Sequence, residues 1–95
     1  MANKCFYVYK FLDDNNNIIY IGKAKNLNHR IINHFGKFGH LPKECYKNIS
    51  KIEYCIFNTN TDMSIFEIYM INKYRPIYNI HSKYNENINN CIFQL

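Results

Sequence analysis

The sequence predicts a small α+β domain: a mostly antiparallel three-stranded sheet flanked by helices, in the order strand, strand, helix, strand, helix. Three observations predict it. Two aromatic and β-branched runs flank a polar Asp-Asn cluster, which is the pattern of a hairpin. Two later segments carry apolar residues at helical spacing. A third β-branched run lies between them. The chain has 95 residues, enough for one modest core that buries roughly 60–65% of the extended surface. At that length a single domain is expected, rather than a Rossmann domain with a partner domain, a TIM barrel or a two-domain enzyme.

Residues 5–12 read as a strand, with Phe6 and Val8 on one side and Tyr7, Tyr9 and Phe11 on the other. Residues 13–17 form a turn, because Asp and Asn bond their own backbone and tolerate left-handed geometry. Residues 18–21 are the second strand, which Gly22 ends. Asn26 offers an N-cap, and Leu27, Ile31, His34 and Phe35 predict a helix near 27–35. Gly36 and Gly39 stop it. Residues 36–48, with Pro42 and several lysines, read as a mobile loop. Residues 52–57 are strand-like. Residues 58–62 turn, with Asn60 or Thr61 as cap, into an apolar helix over 63–74 that closes before Pro76. Residues 76–79 turn back toward the core. The domain is expected over 1–81. The Asn-rich segment 82–95 reads as a loosely ordered tail, in which 91–94 is a candidate edge strand.

The formal net charge is +5, and it is concentrated. Residues 23–51 hold seven cations (Lys23, Lys25, Arg30, Lys37, Lys43, Lys47, Lys51) against one acid, Glu44. Such a segment suits a polyanion, although a solvated lysine face has the same composition. Cys5, Cys45, Cys55 and Cys91 form no C-x-x-C pair, and His29, His34, His40 and His81 complete no zinc-finger spacing. Reduced thiols and a cytoplasmic protein are expected, with Cys5 and Cys55 packing as small hydrophobes. The first apolar stretch is interrupted at Lys10, so no signal-peptide core is expected. Nothing approaches the roughly 18 apolar residues of a membrane span.

Three features could carry chemistry. Tyr9 and Tyr20 lie on the two strands of one hairpin, where phenols on a common face become a pair of donors; tyrosines also simply fill half-buried sheets. Arg30 and His34 are four apart and share a helix face. An Arg kept in a chain with ten lysines and two arginines points to a need for its planar fork, which grips phosphate with two bonds. Glu67 has apolar residues on both sides, so it must reach water, pair, or bind a cation.

The run Tyr7-Val8-Tyr9, ten residues, then Tyr20-Ile21-Gly22 resembles the paired signature of the GIY-YIG nuclease family. Arg30, His34 and Glu67 follow in the family's order, and Tyr74-Arg75-Pro76-Ile77-Tyr78-Asn79 resembles its closing stretch. The run from Tyr20 to Leu27 is also similar to the nuclease module of bacterial excision-repair incision enzymes. Tyr7 departs from the pattern by replacing the first glycine, and altered packing is expected there.

The resemblance implies a metal-dependent endonuclease that hydrolyses DNA phosphodiester bonds and leaves a 5′-phosphate. Glu67 would hold one divalent cation, Mg²⁺ or Mn²⁺, with water and phosphate completing the shell. Arg30 would stabilise charge on the scissile phosphate. Either Tyr9 or Tyr20 would be the general base, helped by Lys23 or through a Tyr9–His34 pair, and Asn79 would position the cluster. Lys23, Lys25, Arg30, Lys37, Lys43 and Lys47 would track the nucleic acid, with the rest of the basic segment to Lys51. Relatives usually attach a separate DNA-binding region, so low sequence preference, a homodimer or a targeting partner is implied. The alternative is a non-catalytic nucleic-acid-binding module on the same fold.

Overall fold

The structure, a computed structural model, describes residues 5–37 and 39–79. The tail 82–95 with its candidate edge strand, Cys91 and His81 lie outside the described residues. Six elements follow in order: β1 (Phe6–Leu12), β2 (Ile18–Ala24), α1 (Leu27–Phe35), α2 (Lys43–Asn48), β3 (Lys51–Phe57) and α3 (Asn60–Tyr74). The three strands form one antiparallel sheet in the order β2-β1-β3. Among the described residues no helix is long and apolar enough to cross a membrane.

Alternation along β1 divides the core. Phe6 and Val8 join Ile21, Met63 and Ile71 on the face covered by α3. Tyr9 and Phe11 join Tyr20, Ala24 and Cys45 on the opposite face, under α1 and α2. The hairpin turn is made by the Asp13 carboxylate, which accepts the N–H groups of Asn15 and Asn17 at 2.9 Å each. Asn16 takes the left-handed conformation, φ 63.

Three elements and one side chain differ from the sequence reading. The second strand does not stop at Gly22 but runs on to Ala24, because pairing with β1 continues through Tyr9↔Gly22 to Tyr7↔Ala24. The predicted loop 36–48 contains α2, which buries Cys45 completely. Neither Asn60 nor Thr61 caps α3; the Thr59 side chain accepts the Asp62 N–H at 3.0 Å, so the helix starts at Asn60. Cys55 does not pack as a small hydrophobe: it is an exposed free thiol on β3, and among the described residues the buried thiol is Cys45.

A bulge sets the position of Tyr20. The register passes from Phe11↔Tyr20 to Leu12↔Ile18, which leaves Ile19 without a partner. Ile19 and Tyr20 therefore both enter the core under α1 and α2. At the far end, α3 closes on Arg75 in the left-handed conformation, whose N–H bonds the Ile71 carbonyl at 2.8 Å. The chain then returns along the outer edge of β2, where Tyr78 N–H reaches Ile19 O at 3.1 Å.

Candidate active site

The site is built outward from Tyr9 on the central strand. Its cross-strand partner is Gly22, and a Cβ built on Gly22 would lie 2.5 Å from Tyr9 Oη. The missing side chain therefore lets the phenol lie across β2. The ring is buried, at 1% exposure, with the Tyr20 ring 6.2 Å away.

Helix α1 supplies the partners of that phenol. Asn26 caps it by accepting the His29 N–H at 3.0 Å, and this fixes Arg30 and His34 one turn apart, both toward the sheet. Arg30 Nε donates to Tyr9 Oη at 3.4 Å. His34 is 2% exposed, and its Nε2 lies 2.7 Å from the same oxygen. The other ring nitrogen, Nδ1, is 2.9 Å from Tyr46 Oη on α2. Tyr46 Oη in turn accepts the Leu41 N–H at 3.2 Å. Among the described residues the hydrogen-bond contact of Tyr20 Oη is a long one, 3.5 Å, to His40 Nε2.

Glu67 approaches from α3. Its side chain is 17% exposed, and its closest cation is Lys23 Nζ at 3.9 Å. Lys23 donates to Ser64 Oγ at 3.2 Å, so it faces α3 rather than the tyrosines. Among the described residues no hydrogen bond is made to the Glu67 carboxylate. A largely buried, loosely paired carboxylate suits a divalent cation, since such an ion accepts one carboxylate and keeps waters for the rest of its shell.

The electrostatics follow from burial. Burial pushes the Tyr9 phenol up, and the Arg30 guanidinium pulls partly against it. Tyr20 is driven far above the usual phenol range by burial and by its neighbour Tyr9. The Glu67 carboxylate raises both phenols further, acting across the gap between α3 and the sheet. Burial, then the Arg30 and His40 charges, pull His34 down to about 4, so its imidazole is neutral at neutral pH. Burial raises the Glu67 carboxyl, with Lys23 opposing. Arg30 loses some hydration, but the Tyr9 and Tyr20 phenols outweigh that and hold it above its ordinary value.

The remaining candidate residues fall into two groups. Asn79 does not touch the phenols. It is 6% exposed and pairs with Ile21 twice, accepting its N–H at 2.8 Å and donating to its carbonyl at 3.0 Å. It therefore holds the edge strand between Tyr20 and Gly22. Lys23, Lys25, Lys37, Lys43 and Lys47 are exposed. Lys51 is engaged with Glu53 at 3.6 Å, beside the 3.2 Å Lys10–Glu53 pair, so it is less available than the other basic residues. Tyr7, the departure from the motif, packs edge-on against Tyr54, with ring centroids 5.8 Å apart, away from the cluster.

The sequence reading gave no role to Tyr46 and His40, because both lay in the supposed loop. The available signal was Pro42 followed by Lys43-Glu44, a proline and an acidic first turn at a helix start. A hollow of about 480 Å³ lies beside β1, β3 and α3; Tyr9 borders it, with Lys10, Glu53, Cys55, Phe66 and Met70. It holds none of the Arg30, His34, Glu67 cluster.

Comparison with known proteins decides the family. The UvrC-like GIY-YIG domain model matches residues 7–80. The chain belongs to the UvrC-like GIY-YIG family. UvrABC system protein C of Dictyoglomus thermophilum is 43% identical over 75 residues, covering 77% of this chain and 12% of that protein. The protein of the same name from Borrelia duttonii is 41% identical over 76 residues, covering 79% of this chain and 13% of its own length. This GIY-YIG chain thus spans about an eighth of the length of the curated relatives it matches. The GIY-YIG N-terminal endonuclease domain of UvrC from Thermotoga maritima, solved bound to its catalytic divalent cation, magnesium, superposes with a TM-score of 0.71. It is 29% identical, and the match covers 83% of this chain and 88% of that one. The shared architecture is the three-stranded antiparallel sheet with helices predicted from the sequence.

Proposed function

We propose that this GIY-YIG domain is a divalent-metal-dependent endonuclease that hydrolyses DNA phosphodiester bonds. The observation that carries the reading is the setting of the Tyr9 hydroxyl. One oxygen has a guanidinium donor, Arg30 Nε, at 3.4 Å and a neutral imidazole, His34 Nε2, at 2.7 Å. The magnesium-bound relative supports a metal ion, and the loosely paired Glu67 carboxylate is the group that would hold it.

When bound, the ion supplies Lewis-acid charge for the scissile phosphate and favours the ionised forms of nearby phenols and water. Tyr9 serves as the proton acceptor for the attacking water. At rest it keeps its proton, because burial disfavours the phenolate. Arg30 favours the charged form, and His34 offers a nitrogen toward which the proton can move. The guanidinium also stabilises the extra charge on the phosphate in the transition state, worth on the order of 10²–10³ in rate. Among the described residues Tyr20 Oη makes the longer contact, 3.5 Å to His40, so it shapes the pocket and donates to the substrate rather than acting as base. Lys23 tempers the Glu67 carboxylate. The exposed lysines Lys25, Lys37, Lys43 and Lys47 contact the nucleic-acid backbone without reading bases.

Purified protein is expected to nick supercoiled plasmid in Mg²⁺ or Mn²⁺, with no cutting in chelator or by Glu67→Ala. Cutting that survives in chelator or in the Glu67 variant overturns the reading. Metal-independent DNA binding without cutting by the wild-type chain would favour the non-catalytic module.

A further inference from the structure

The hydrogen bonds around His34 continue past the site. Tyr9 Oη, His34 Nε2, His34 Nδ1 and Tyr46 Oη form a line with gaps of 2.7 and 2.9 Å at its two hydrogen bonds. Each phenol oxygen is fixed by a second donor: Arg30 Nε–H at Tyr9 and Leu41 N–H at Tyr46. A neutral imidazole donates from one nitrogen and accepts at the other. One tyrosine must therefore donate to His34 while the other accepts from it. The shorter of the two contacts fits a hydroxyl donor. A hydroxyl donor makes the shorter contact, about 2.7–2.8 Å, against about 2.9–3.0 Å for N–H to oxygen. Tyr9 then donates to Nε2, and Nδ1–H donates to Tyr46.

We propose that Tyr46 is a positioning residue of the active site: it fixes the His34 tautomer and is the outlet of a proton wire running from Tyr9 through His34 to water. It rests on the reading of Tyr9 as the proton acceptor. The wire balances. The Tyr9 O–H bond breaks as an Nε2–H bond forms; the Nδ1–H bond breaks as its proton moves to Tyr46 Oη; the original Tyr46 hydroxyl proton passes to solvent water. One proton leaves Tyr9 and one enters water. His34 is neutral before and after, so its reluctance to carry charge is no obstacle. The product is a Tyr9 phenolate held by two donors, Arg30 Nε–H and His34 Nε2–H. Tyr46 suits the outlet because it is half-buried, whereas Tyr9 is 1% exposed.

The test combines ¹⁵N NMR of the His34 ring with cleavage kinetics. In the wild-type protein His34 is expected in the Nδ1–H form; an Nε2–H form would overturn the resting direction and with it the proposal. Tyr46→Phe keeps the ring that packs on Phe35 at 5.3 Å and removes only the hydroxyl. It is expected to shift His34 toward Nε2–H and to lower kcat on the order of 10-fold or more, with KM unchanged. A shifted tautomer with wild-type kcat, or no shift at all, contradicts the wire. If wild type and Glu67→Ala cut alike, the nuclease reading fails instead, and the wild-type tautomer still judges the hydrogen-bond line on its own.

Discussion

Gly22 and His34 carry the sharpest consequences at the scale of single residues. Tyr9 Oη occupies the space a Gly22 side chain would need, 2.5 Å from the built Cβ. Gly22→Ala must displace either the phenol or the strand. Overpacking of this kind costs about 1–3 kcal/mol. Urea unfolding is expected to show that loss, and cleavage to fall further than stability alone explains, because the Arg30 and His34 contacts share the displaced oxygen. His34 gives a pH signature. Its folded pKa of about 4 lies below the ordinary value of 6.5, so between the two the unfolded chain binds more protons. Stability is therefore full above about pH 6.5 and falls as pH drops toward 4. His34→Gln is expected to flatten that part of the melting temperature against pH profile. An unchanged slope would mean that the imidazole is not held neutral by the fold.

At the scale of elements, β2 is an edge strand that is fastened along its outer side. Asn79 supplies two hydrogen bonds to Ile21, as a neighbouring strand would. Asn79→Ala leaves both Ile21 groups without partners at a buried position, a cost of about 1–3 kcal/mol for each group. Hydrogen exchange at the Ile21 amide is expected to quicken markedly, and slow exchange there would contradict the clamp. The strands and the long helices were legible in the sequence, because alternation in 6–12 and helical spacing in 27–35 are signals local to a few residues. The first-motif and second-motif tyrosines could likewise be placed on neighbouring strands of a hairpin, but not on a common face, which depends on the register. What was not legible depended on contacts distant in sequence. Helix α2 has six residues and one buried position, Cys45, too little periodicity to stand out among lysines. The partners of His34 could not be read, because Tyr46 meets it only when α2 folds back over α1. The register bulge at Ile19, which turns Tyr20 into the core, has no sequence mark beyond a run of isoleucines.

For the whole molecule, the candidate groups come from both faces of the sheet: the phenols lie under α1 and α2, and the carboxylate is carried by α3. One face is sealed by α3 through Met63 and Ile71, and the other holds the phenols beneath α1 and α2. Glu67 and Lys23 meet where α3 passes the edge strand, so the carboxylate acts on both tyrosines without joining their hydrogen bonds. Exposed lysines on α2 extend the phenol side outward. Replacing Lys43 and Lys47 with Ala is expected to weaken duplex binding similarly for all sequences and to reduce the slope of log affinity against log salt by about 2. An unchanged slope would place the nucleic acid elsewhere. The proposed function requires one fold to gather a phenol, a guanidinium and a carboxylate into a single phosphodiester-cleaving centre. Single-turnover cleavage by Tyr9→Phe tests it most directly, since the ring and its packing remain and only the shared hydroxyl is lost. A fall on the order of 10²–10⁴ in rate is expected, with Mn²⁺ affinity close to wild type and a stability loss of about 1–3 kcal/mol from the His34 nitrogen left without its partner; cleavage by Tyr9→Phe at the wild-type rate would contradict a shared centre.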